Sequence, residues 1–256
     1  MKNISMQKAK DIPIPLPPLD EQRRIANIAM RADRLRRTRR YGQQLSDTYL
    51  QSVFLEMFGD PVSNPKGWEI VKLSKIGVLD RGVSKHRPRN DPTLLGGPYP
   101  LIQTGDVANS GGYIRNYHQT YSEIGLKQSK IWSKGTLCIT IAANIAKTGI
   151  LEFDACFPDS VVGFQPGEKT NIEFVQFWFS FLQKILEETA PESAQKNINL
   201  EILRDLDIIL SPLPLQQKFA TIVQRFQRLR SQQQEADRQA EHLFQSILHR
   251  AFRGEL

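Results

Sequence analysis

The segment IPLPPLDEQRRIANI, Ile14 to Ile28, returns as IILSPLPLQQKFATI, Ile208 to Ile222, and this repetition limits the possible folds more than any other feature. The offset of 194 that pairs Pro18 with Pro212 also pairs Lys2, Asn3 and Ile4 with Lys196, Asn197 and Ile198. It goes on to pair Asp11 with Asp205, Gln22 with Gln216, Ala26 with Ala220, and Arg31, Arg34, Leu35 and Arg36 with Arg225, Arg228, Leu229 and Arg230. Gln51, Ser52 and Phe58 meet Gln245, Ser246 and Phe252. In all there are 18 identities over about 60 gapless positions, where chance gives about one in twenty, so the two ends are copies of one unit. The chain reads as repeat, insert, repeat.

Each repeat has the same plan. Prolines at 13, 15, 17 and 18, and again at 212 and 214, lack an amide donor and disfavour helix in the residue before them, so each closes an extended segment. A helix can start directly after. Ser211 is a natural N-cap with Pro212 at the first helical position, and Asp20 can cap the first copy. Positions then follow in alternating steps of four and three, apolar except at Gln233 in the second copy and through a polar, glycine-bearing middle in the first. The second copy runs Ile222, Phe226, Leu229, Gln233, Ala236, Ala240, Leu243, Ile247; the first runs Ile25, Ile28, Ala32, Leu35, Arg39, Gly42, Ser46, Tyr49, Val53. Sustained heptads of this kind predict a helix–helix seam, with Gly254 at the C-cap of the second copy. Gly42 weakens the first helix by about 1 kcal/mol. A helix of about 36 residues spans about 54 Å, so the natural partner of each long helix is the other, in an antiparallel coiled coil. The first helix carries Arg23, Arg24, Arg31, Arg34, Arg36, Arg37, Arg39 and Arg40, a face that is either solvated or turned to a phosphate or protein partner.

Composition narrows the class. The 256 residues have a net charge of +7 and are 40% hydrophobic, enough for a real core and suggestive of a polyanionic partner. Cys138 and Cys156 both lie in apolar surroundings, which fits two buried thiols in a reducing cytoplasm better than a disulfide framework. No apolar run has the length of a membrane span. The expectation is a soluble, cytoplasmic protein of α+β class.

The insert has strand-like runs at 68–73, 99–103, 136–142, 149–153 and 160–165, and helix-like runs at 172–188 and 200–206. Its polar residues gather in loops: RGVSKHRPRN from Arg81, QTGDVANSGGYIRN from Gln103, LKQSK from Leu126, AANIAKTG from Ala142 and SAQKNIN from Ser193. Arg and Lys match guanine edges, Asn and Gln match adenine, and all reach phosphates. The candidate DNA contacts are Lys85, Arg87, Arg89, Gln103, Thr104, Asn109, Tyr113, Lys127, Ser129, Lys130, Asn144, Lys147, Lys196 and Asn197.

Catalytic motifs are missing. IAKTG lacks the flanking glycines of a phosphate-binding loop, and in FPDSVVGFQPGEKT the adjacent Glu168 and Lys169 break the spacing of a metal-dependent nuclease. There is no glycine-rich methyl-donor loop, and His86, His118, His242 and His249 are scattered without ligand spacing. No catalytic residue, metal or cofactor is expected.

The chain resembles the DNA specificity subunits of type I restriction-modification systems. The resemblance is carried by the two joints, the helix ends FLEMFGDP and HRAFRGEL, the start NPKGWEIVKLSKIG, and the segments FPDSVVGFQP and QKNINLEILRDL. It implies that residues 60–211 are an α/β target recognition domain reading half of a split site on double-stranded DNA. It also implies that 20–59 and 212–256 are the spacer helices that dock methyltransferase and restriction subunits, with catalysis in those partners. A complete subunit has two recognition domains. Here residues 1–19 match the tail of the one present, so the expectation is a half-subunit completed by a homodimer or by a separate half. The alternatives are an interaction module that binds methyltransferase without directing it to DNA, and a nuclease with an unrecognised site.

Overall fold

The computed structural model describes residues 6, 10, 16–142, 145–182, 198–253 and 255. They divide into two compact units, one made of the chain up to Leu50 and from Arg225 onward, the other of Gln51–Gln224. In chain order the elements are α1 (Leu19–Phe58), β1 (Glu69–Lys72), β2 (Gly77–Arg81), β3 (Leu95–Leu101), α2 (Thr104–Ala108), β4 (Tyr113–Ile114), β5 (Gln119–Tyr121), α3 (Glu123–Lys127) and β6 (Ile131–Trp132). They continue with β7 (Leu137–Thr140), β8 (Thr148–Leu151), β9 (Ala155–Cys156), β10 (Val161–Pro166), α4 (Ile172–Phe179), α5 (Leu200–Asp205), β11 (Asp207–Leu210) and α6 (Leu213–Arg253). None of the described helices is long and apolar enough to cross a membrane.

The duplicated joint is duplicated in its hydrogen bonds. The Gln22 amide donates to the Pro18 carbonyl at 3.0 Å and the Gln216 amide to the Pro212 carbonyl at 3.2 Å. Each glutamine also turns its side chain five residues back, Gln22 to the Pro17 carbonyl and Gln216 to the Ser211 carbonyl, both at 2.7 Å. The prolines therefore open the helical ladder, and the helices begin at Leu19 and Leu213. The capping expected of Ser211 is not seen: its hydroxyl is buried with no partner among the described residues, and Pro212 lies just before the helix rather than in it. Asp20 sits inside the first turn, where its charge faces the positive end of the helix.

Within the first unit the two helices run antiparallel, because Tyr49 stacks on Phe226 at 5.4 Å while Arg36 bonds Glu241 at 3.3 Å. Among the described residues of this unit, Ala32, Leu50 and Ala240 are buried. Arg36 lies over the Phe244 ring at 4.4 Å and pairs with Asp33 at 2.7 Å. Ile25, Ile28 and Ile247 are half-buried, as are Val53, Ile222 and Phe226. Four expected seam residues are more exposed: Leu35 at 43%, Tyr49 at 50%, Leu229 at 56% and Leu243 at 51%. An α-helix of 3.6 residues per turn drifts about 20° per heptad from a strict seven-residue repeat, so the line of packing passes to the next position, Arg36 for Leu35 and Phe244 for Leu243.

The second unit is α+β. Among the described residues β1 pairs antiparallel with β11, a five-stranded sheet has the order β2-β10-β7-β8-β4, and a four-stranded sheet has the order β5-β3-β9-β6. All four residues of β7, Leu-Cys-Ile-Thr, are buried, as expected of a central strand covered on both faces. Trp132 and Phe157 stack at 4.8 Å over Gly163, where a Cβ would meet the indole at 2.5 Å. Of the helix expected over 172–188, α4 forms 172–179, and residues 183–188 lie outside the described set.

The ends of both long helices are rooted in this unit. Phe54 and Phe58 of α1 each meet both Phe174 of α4 and Phe219 of α6, with centroid separations of 4.9–5.7 Å. All four are fully buried. Gln216, also fully buried, accepts the Asn171 amide at 2.9 Å and so joins the start of α6 to the start of α4. Asn171 in turn caps α4 by accepting the amides of Glu173 and Phe174. Truncating Phe219 to Ala should cost about 3–5 kcal/mol. The same change at its repeat counterpart Ile25, which is half-buried, should cost clearly less; urea unfolding of the two variants measures the difference.

Candidate nucleic-acid interface

The site begins with a glycine. Gly82 follows β2 and runs so close to the segment before β10 that a Cβ there would lie 2.3 Å from the Pro158 carbonyl and 2.4 Å from that of Phe157. This approach lets Gly82 donate to Val161 at 2.9 Å and Val83 to Phe157 at 3.1 Å, which seats loop 82–91 beside Asp159. From the other side, Ser129 donates to the Val83 carbonyl at 2.8 Å, and the Gln128 side chain accepts the His86 amide at 3.0 Å. The Asp91 carboxylate accepts from both Thr93 groups, at 2.9 and 2.7 Å, and lies 3.3 Å from His86. The Thr93 hydroxyl, chiefly, holds that carboxyl below its ordinary range.

Arginines meet on one acid. Arg87 donates to the Asp159 carboxylate at 3.4 Å and to the carbonyls of Ser84 and His86 at 2.6 and 2.8 Å. Arg89 bonds the other carboxylate oxygen, and Arg81 bonds the Asp159 carbonyl. Lys130 pairs with Asp80 at 3.0 Å and lies 4.1 Å from the Trp132 ring centroid, and this pairing lowers the Asp80 carboxyl. Lys85 and Lys127 are exposed and meet no carboxylate among the described residues.

Of the expected contacts, the fold thus brings together Lys85, Arg87, Arg89, Ser129 and Lys130, with Lys127 two residues before Ser129. Ser129 acts as a brace for the loop. A second group surrounds α2. There the Gln103 side chain donates to Gln119 at 3.1 Å, the Gln103 amide is capped by Asp106 at 2.8 Å, and Asn109 closes the helix on the Gly105 carbonyl at 2.9 Å. Thr104 is half-buried at the start of α2, and Lys147 is exposed just before β8. Tyr113 is not a loop residue: it lies on β4 and its hydroxyl donates to the buried Glu173 at 3.1 Å, so its proton is already engaged. Burial and the Glu173 charge push its phenol far up. Asn144, Lys196 and Asn197 lie outside the described residues.

Sequence reasoning missed Asp159, Arg81 and Gln128. Arg81 stood at the head of a quoted loop, and Asp159 inside FPDSVVGF, but only the pairing of β2 with β10 brings the two segments together. The charge count was also deceptive. Residues 59–212 hold 16 Lys and Arg against 17 Asp and Glu, whereas the two long helices hold 15 against 8, so the basic excess lies on the helices. No group of three or more metal-ligating side chains occurs among the described residues.

Among known proteins, the type I restriction modification DNA specificity domain family matches residues 65–240. The specificity subunit of the Escherichia coli type I restriction enzyme EcoBI is 25% identical over 293 residues, covering all of this chain and 61% of that protein. The putative type I restriction enzyme MjaX specificity subunit of Methanocaldococcus jannaschii is 23% identical, covering 85% of this chain and 53% of its own length. The chain thus spans 53–61% of the curated relatives it matches. The crystal structure of an HsdS subunit from Thermoanaerobacter tengcongensis superposes with a TM-score of 0.60 at 24% identity, covering 95% of this chain and 61% of that one. A chain solved in work on complex assembly and conformational transition of the type I R-M system superposes at 0.67, also at 24% identity, covering 95% and 62%. These likenesses show the fold.

The glycine approach is directly testable. Gly82→Ala forces a methyl group onto two carbonyls and should destabilise the protein by about 1–3 kcal/mol. It should also speed hydrogen exchange at the Gly82 and Val83 positions, as read by mass spectrometry or NMR.

Proposed function

The chain belongs to the type I restriction modification DNA specificity domain family, and on that premise we propose that it is a DNA-reading subunit whose α/β unit addresses one half of a two-part duplex site. The observation that carries this reading is the gathering of Lys85, Arg87, Arg89, Lys127 and Lys130 by two loops that brace one another. They are collected in a stretch with no net positive charge, so the cluster is a local arrangement rather than a surplus. Such a cluster suits phosphates and base edges at one place on a duplex. In this reading methyl transfer and cleavage belong to partner subunits. Replacing Lys85, Arg87 and Arg89 together by alanine should weaken duplex binding roughly tenfold or more. It should also flatten the log–log salt dependence by up to about 0.9 for each phosphate that is no longer neutralised, with fluorescence anisotropy over a salt series as the measurement.

The helix pair supports the docking of methyltransferase and restriction subunits. Arg31, Arg34 and Leu35 of the first repeat are all exposed, and so are their copies Arg225, Arg228 and Leu229. Other arginines of these helices have an acid three residues earlier: Arg23 with Asp20, Arg24 with Glu21, Arg36 with Asp33, Arg238 with Glu235. Arg31 with Arg34 and Arg225 with Arg228 instead set like charges three apart, which destabilises an isolated helix by tenths of a kcal/mol. An exposed leucine follows each pair. That combination fits an acidic protein surface with an apolar centre. Likewise the first joint, which repeats the Gln216 bond at Gln22 but leaves Ala26 exposed where Ala220 is buried, supports a place for a second reading domain. Reversing all four arginines to glutamate should abolish co-elution with the methyltransferase subunit in size-exclusion chromatography with light scattering, while duplex binding by the α/β unit persists.

A further inference from the structure

An acid at the centre of a phosphate-binding surface opposes its own purpose, and Asp159 is such an acid. Its carboxylate holds Arg87 through one oxygen and Arg89 through the other, and its carbonyl holds Arg81. The two arginines are not held equally. Arg87 is directed inward by two further carbonyls, those of Ser84 and His86. Arg89, with 44% of its side chain exposed, is bonded through Nη2 alone, so among the described residues its Nε and Nη1 have no acceptor.

A mobile arginine binds any phosphate, because phosphates recur along every duplex, whereas a guanine edge requires a guanidinium held in one plane for its paired bonds. A carboxylate beside the arginine weakens the first kind of contact by repulsion and favours the second by fixing the plane. We propose that Asp159 is a positioning residue for base reading, which aims Arg89 at a base edge and withholds both arginines from indiscriminate phosphate contact. Arg89 is then the reader, and Arg87 ties the loop to the carboxylate. This inference rests on the DNA-reading function proposed above.

The test uses the full chain. A duplex library with a randomised window is selected against the wild type, and the enriched duplex and a scrambled one are then titrated at several salt concentrations with wild type, Asp159→Asn and Asp159→Glu. Asp159→Asn keeps the shape and removes the charge. It should bind the scrambled duplex several-fold more tightly, with a salt slope steeper by about 0.9. Its preference for the enriched duplex should fall about tenfold, in keeping with the loss of one paired base contact. Asp159→Glu should recover much of the preference, which a mere packing role would not allow. An unchanged preference in Asp159→Asn, or weaker binding to the scrambled duplex, overturns the proposal. If Asp159→Asn melts early, Arg89→Gln decides instead: preference must fall with little change in scrambled-duplex affinity, and a retained preference refutes the idea. A wild-type chain that enriches no sequence at all refutes the DNA-reading function and this inference with it, and that result comes before any variant is measured.

Discussion

The packing of Phe54 and Phe58 against both Phe174 and Phe219 is the contact on which the rest of the structure depends. It is made between residues 54 and 219, far apart in sequence, and it ties the end of one long helix and the beginning of the other to a single short helix of the α/β unit. Gln216 adds direction to this apolar contact. Its side-chain oxygen accepts the amide that opens α4 while its nitrogen holds the carbonyl at Ser211, so a fully buried polar side chain is satisfied at both ends. Removing the Gln216 side chain would leave buried main-chain groups unpaired.

The duplication explains what otherwise looks redundant. The same glutamine bond is made at 2.7 Å in both joints, although Gln216 is fully buried and Gln22 only half-buried. Local geometry is therefore built into the repeat itself, and burial is added by whatever domain packs on it. The same division holds along the helices. Arg36 and Phe244 meet across the pair, while the arginine pairs and leucines common to both repeats are exposed.

In the candidate interface, charge is arranged rather than accumulated. Asp159, Asp80 and Asp91 each engage a basic side chain, so the loop is ordered before any ligand arrives. Pre-ordered side chains give up less conformational freedom on binding. Gly82 and Ser129 serve the same end through the backbone.

Much of this was legible in the sequence. Repeat, proline joint and heptad spacing together foretold two long helices flanking an α+β insert, because helical periodicity and proline sterics are local properties that hold whatever the surroundings. The apolar runs at 136–142, 149–153 and 160–165 foretold β7, β8 and β10 for the same reason. Short strands such as β4, β6 and β9, two residues each, carry no periodicity and exist only because neighbours pair with them. Nor could spacing separate Leu35 from Arg36 as a seam position, since that choice depends on accumulated helical drift and on Glu241 and Phe244 across the pair. At the site, the sequence by itself determined which loops carry cations. Only tertiary structure decided that Tyr113 turns inward to Glu173 and that Arg87 and Arg89 share Asp159, because helix packing in the first case and strand pairing in the second bring together residues 60–72 positions apart that no local pattern connects.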